Sequence, residues 1–145
     1  MGHRAAGGTE SILIVDDSPE QREMAKDIIE SLGYSVLTAE NGHKGVELFR
    51  NQSPPDLIVL DMIMEPGFDG LDTYREILRI CPDQKAIIVS GFSATESVQA
   101  VLDLGATAFV KKPFTLDTIA RALRSVLDSP TITCSDRKNQ VIQKA

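Results

Sequence analysis

The chain lacks the features that would place it in a membrane, in an oxidising compartment or on nucleic acid. No apolar run approaches the roughly 20 residues that span a bilayer, and residues 1–10, MGHRAAGGTE, lack the apolar core of a signal peptide. A myristoylation start is excluded by Ala6, where that motif wants Ser or Thr. Positive charge is scarce: 15 Lys and Arg against 21 Asp and Glu give a formal net charge of −6. Such a balance argues against a surface for phosphate backbones, so no direct nucleic-acid partner is expected. The only cysteines are Cys81 and Cys134, without metal-ligand spacing. We expect Cys81 to pack in the core, no structural disulfide, and a reducing compartment, hence a cytoplasmic protein with no membrane contact. His3 and His43 have no ligand partners nearby in sequence and read as surface residues.

What is present fits one globular domain: 145 residues, 42% of them hydrophobic and 25% charged. Residues 1–10 read as a flexible lead, 11–128 as the domain and 129–145 as a polar tail. The most informative stretch is Pro55 to Asp61. An Ile, Val and Leu run preceded by two prolines reads as a strand buried on both faces, as in parallel sheets. Asp61 ends it, and Asp16-Asp17 close a similar run at 11–15. Carboxylates at strand ends lie on the rim where open α/β folds place their ligands.

Elsewhere the pattern predicts strands near 34–39, 85–90 and 107–110, alternating with five helices. Ser18, Pro19 and Gln21 form a capping-box start for the first helix, whose apolar stripe is read as Met24, Ile28 and Leu32 and whose stop is Gly33. Asn41 caps a second helix with Val46 and Phe49 inward, weakened by Gly42 and Gly45. The third helix carries Leu71, Tyr74, Leu78 and Cys81 inward. The fourth starts at a Ser93 capping box, has Val98, Val101 and Leu102 inward and ends at Gly105. The last has a Thr115 cap and a core face of Leu116, Ile119, Ala120, Leu123 and Val126. Five strands alternating with helices imply a doubly wound parallel sheet, and the count fits a flavodoxin-like α/β fold of strand order 2-1-3-4-5. In that order Asp16, Asp17 and Asp61 converge. Their mutual repulsion then calls for a cation or for protonation. Asp16-Asp17 alone would more often be a solvated turn; Asp61 at a neighbouring strand end reverses that reading.

These residues resemble the receiver domain of two-component response regulators, over about residues 10 to 128. The resemblance implies that Asp61 is the phosphoacceptor, taking a phosphoryl group from a phosphohistidine on a histidine kinase or phosphotransfer protein. It implies that Asp16 and Asp17 hold Mg²⁺ together with Asp61 and the backbone carbonyl of Ile63. It assigns Ser90 to the hydroxyl that meets the phosphoryl group, Lys112 to the lysine that pairs with it, and Phe109 to the switch aromatic. A cis Lys112-Pro113 bond is also implied, as is a downstream protein partner on the face of the fourth helix, fifth strand and fifth helix. Such a domain is a signalling phosphoprotein rather than a dedicated enzyme. The wording around Ser90 and Lys112 is also similar to receivers attached to hybrid sensor kinases.

Three departures from that family pattern stand out: Glu65 lengthens the loop after Asp61, Gly91-Phe92 follow Ser90, and no output domain is expected after residue 128, which leaves a stand-alone receiver or one excised from a larger protein. Three other readings compete. A nucleotide or flavin binder needs a Gly- or Ser/Thr-rich loop after the first strand, where two aspartates stand. An aspartyl phosphatase commonly carries a second acid two residues after the nucleophile, where this chain has Ile63. A degenerate receiver, acting only as an interaction module, commonly lacks one of the positions held here by Asp16, Asp17, Asp61, Ser90 and Lys112, and all five are filled.

Overall fold

The structure is a computed structural model that describes residues 7–51, 54–62, 68–91, 96–106 and 108–128. The element order is β1 (Ser11–Val15), α1 (Pro19–Ser31), β2 (Ser35–Ala39), α2 (Gly42–Asn51), β3 (Leu57–Asp61), α3 (Gly70–Ile80), β4 (Ala86–Ser90), α4 (Glu96–Asp103), β5 (Ala108–Lys111) and α5 (Leu116–Leu127). All strand pairs are parallel, in the order β2-β1-β3-β4-β5. This is the expected architecture. Strands β3 and β4 are buried at every residue, which is why their sequences run apolar without alternation.

Period-two alternation sends successive side chains to opposite faces and builds two cores. Leu13, Ile58 and Ile88 meet Phe49, Tyr74, Ile77 and Val101 on the side of α2, α3 and α4. Ile14, Val59 and Val89 meet Ile29, Ile119 and Leu123 on the side of α1 and α5. Lys85, buried just before β4, donates from Nζ to the carbonyl of Leu127 at 3.0 Å and so satisfies an end group of α5. No helix among the described residues is long and apolar enough to cross a membrane.

Several helix details differ from the sequence reading. On α1 the buried positions are Ala25 and Ile29, and Met24 is 61% exposed. Ile28 and Leu32 pack against the same core as expected, so only Met24 departs from the expected stripe. On α3 the buried centre is Thr73, Tyr74 and Ile77, with Leu71 and Leu78 only flanking it. On α5 Leu116 is 44% exposed, while the other four expected residues are buried. Gly42 and Gly45 are not weaknesses. A Cβ on Gly42 would stand 2.1 Å from Thr73 Oγ1, and one on Gly45 would stand 2.9 Å from Val15 Cγ2, so glycine is what permits this packing.

Cys81 is buried as expected, but it is disulfide-bonded and not a free thiol. Distant cysteines carry no spacing signal for a bridge. The thiol argument for a reducing compartment thereby loses its support, and Cys134 lies outside the described residues. His43 is exposed, as expected, yet its ring stacks on Phe68 with centroids 4.0 Å apart. The Ser93 start of α4 and the Glu65 loop also fall outside the described residues.

Candidate functional site

The site sits at the carboxyl edge of the sheet and follows from its register. Val15 pairs with Leu60, so the next residues, Asp16 and Asp61, emerge side by side from β1 and β3. Asp61 itself pairs with Val89, and Ser90 pairs with Lys111, which brings the ends of β4 and β5 to the same rim. Asp16 and Asp61 are 5% and 6% exposed, and Asp17 is half-buried. Each of the three offers a carboxylate oxygen, and these atoms lie within 4.8 Å of one another. Such a hard, all-oxygen donor set fits Mg²⁺ and no soft metal.

Lys112 is the counterion of this cluster. Its Nζ lies 3.0 Å from Asp16 Oδ2 and 3.3 Å from Asp61 Oδ1, and it also donates to Gln21 Oε1. The Lys112 amide donates to the carbonyl of Ser90 at 2.8 Å, which ties the end of β5 to β4; the Lys112-Pro113 bond is cis, as the resemblance implied. A cavity of about 600 Å³ opens beside the cluster, lined by Asp16, Asp17, Asp61 and Lys112 on its polar side and by Met24, Pro113 and Phe114 on its apolar side. An anion entering it would meet Lys112 and three carboxylates together.

The other expected site residues fall as follows. Ser90 ends β4 and is buried. Phe109 is half-buried in β5 and packs against the core on the α2, α3 and α4 side. Ile63 lies outside the described residues.

Two contacts of Asp16 were not visible from sequence. Arg22 Nη1 donates to the Asp16 carbonyl at 2.9 Å, and the Ser18 amide donates to Asp16 Oδ1 at 2.9 Å. Ser18 Oγ accepts from the Gln21 amide, as a helix cap should, but the reciprocal half of the expected capping box is missing. Asp16 has taken the Ser18 amide, which leaves the Gln21 side chain for Lys112. The sequence signal for a capping box could not separate these outcomes.

Comparison with known proteins agrees with this geometry. The model of the response regulator receiver domain matches residues 12–124. The chain is 37% identical over 116 residues to the chemotaxis protein CheY of Thermotoga maritima, covering 79% of this chain and 95% of that protein. It is 36% identical over 129 residues to CheY of Bacillus subtilis, covering 88% of this chain and all of that one. Among solved structures, a CheY-like receiver domain from Methanospirillum hungatei superposes with a TM-score of 0.76 at 28% identity, over 83% of this chain and 95% of the other. A sheet of order 2-1-3-4-5, three carboxylates on its rim and these matches together make the chain a member of the response regulator receiver domain family of two-component signal transduction.

Proposed function

We propose that Asp61 is the phosphoacceptor and that Asp16, Asp17 and Asp61 hold Mg²⁺, with the carbonyl of Ile63 as a further ligand. The observation that carries this reading is the convergence of the three carboxylates with Lys112 at one rim. An Asp61 oxygen forms a bond to phosphorus as the bond from phosphorus to the donor imidazole breaks, and the electron pair leaves with that nitrogen. Charge spreads over the equatorial oxygens during such a transfer. Lys112, which pairs with Asp61 at 3.3 Å, meets one of them in this reading. When bound, Mg²⁺ supplies further electrostatic stabilisation and offsets the repulsion between phosphate and carboxylates.

Receiver domains exchange signals with histidine kinases and with downstream proteins. Here the phosphoryl group draws on the hydroxyl of Ser90, and Phe109 follows, altering the face of α4, β5 and α5. Support comes from adjacency: Ser90 pairs with Lys111, and Phe109 pairs with Ile88 on the same two strands. The change is a shift between two states that differ in affinity for the phosphoryl group. Beryllofluoride with Mg²⁺ is expected to move the amide resonances of Asp16, Asp61 and Lys112 and those of Val98 to Val110. Site shifts without any change from Val98 to Val110 would remove the switch.

A further inference from the structure

We infer that Gln21 is a positioning residue that holds Lys112 at rest and releases it to the phosphoryl group. This rests on the proposed role of Asp61 and adds a residue to it. An ammonium has three donors. Among the described residues Nζ of Lys112 donates hydrogen bonds to Asp16 Oδ2 and Gln21 Oε1 and forms an ion pair with Asp61 Oδ1. A phosphoryl group on Asp61 competes with these two hydrogen-bond acceptors for the ammonium. Hydrogen bonds to carboxylates are roughly twice as strong as those to a neutral amide, so the Gln21 amide is the acceptor that yields. It is also the exposed one of the three, whereas Asp16 and Asp61 are buried.

The placement of Gln21 is built rather than incidental. Its backbone amide is anchored by Ser18 Oγ at the start of α1, and its side chain is free to reach Lys112 because Asp16 Oδ1 occupies the Ser18 amide. Gln21 thus competes with the phosphoryl group for the same donor. Its loss tightens binding of that group, the opposite of what loss of a structural residue does.

The test is a beryllofluoride titration at saturating Mg²⁺ on the unsubstituted chain and on Gln21→Met and Gln21→Glu, with the Lys112 Nζ resonance as a second readout. Met keeps length and helix propensity but cannot accept comparably. Gln21→Met is expected to bind about two- to tenfold more tightly, the range of one net hydrogen bond, and to shift the Nζ resonance before ligand is added. Gln21→Glu, an ionised acceptor, is expected to bind more weakly. Equal or weaker binding by Gln21→Met, with normal binding by the unsubstituted chain, overturns the role of Gln21 alone. No beryllofluoride binding by the unsubstituted chain overturns the phosphoacceptor reading beneath it.

Discussion

Lys112 Nζ stands 3.3 Å from Asp61 Oδ1, joining the end of β5 to the end of β3 across the intervening β4. Both side chains are largely buried, at 18% and 8% side-chain exposure. A contact of this kind is held by the carboxylate cluster and by the Ser90 carbonyl beneath the Lys112 amide. Lys112 thereby offsets part of the negative charge gathered at this rim.

Lys112→Ala leaves Asp16 and Asp61 repelling one another with their cation gone. In Mg²⁺-free buffer the variant is expected to lose on the order of 3 kcal/mol of stability, as when one partner of a buried pair is removed. Added Mg²⁺ should recover much of this, since it replaces the lost positive charge. Urea unfolding with and without Mg²⁺ measures both. A variant as stable as the parent in EDTA would show that the carboxylates do not depend on Lys112.

Gly42→Ala sets two effects against each other. Ala favours a helix over Gly by about 1 kcal/mol. The added Cβ, however, would meet Thr73 Oγ1 at 2.1 Å and Phe68 Cδ2 at 2.5 Å, and overpacking costs typically 1–3 kcal/mol. Net destabilisation is expected, with displaced resonances of the His43 and Phe68 rings. A stabilised variant would mean that the α2–α3 contact is loose.

Far from the site, Arg124 binds Glu10 at 2.8 Å and Asp128 at 2.7 Å and donates weakly to Tyr34. Its guanidinium holds the Glu10 carboxyl below the ordinary value of 4.5 against the opposing effect of burial. A carboxylate with a depressed folded pKa stabilises above its unfolded value, and that stability is lost as pH falls through the folded one. Glu10→Gln should therefore lower stability at pH 7 by no more than about 1 kcal/mol, less at high salt. The difference from the parent should shrink below pH 4.5. A pH series of thermal melts on both proteins tests the sign; a gap that widens in acid contradicts it.

Much of the fold was legible because β1, β3 and β4 are apolar runs closed by chemistry-bearing residues, and a parallel sheet admits few orders of five strands. Asp16, Asp17 and Asp61 were legible for the same reason: strand ends meet at one rim. Helix phase was less so. Met24 and Leu116 are apolar and fit the helical spacing, yet both are exposed, since spacing alone does not separate the margin of a helix face from its centre. Gly42 and Gly45 read as weaknesses because propensity describes one helix and their value lies in its neighbours. Gln21 was misread because local capping and a partner far along the chain compete for one side chain, and Asp16 decides the outcome.

The central claim is that Asp61 receives the phosphoryl group, and intact mass after incubation with acetyl phosphate and Mg²⁺ tests it most directly. The parent chain is expected to gain a single phosphoryl group, and to gain none in EDTA. Asp61→Ala should stay unmodified under the same conditions, although its fold, Asp16, Asp17 and Lys112 are retained. The same adduct on Asp61→Ala would contradict the account.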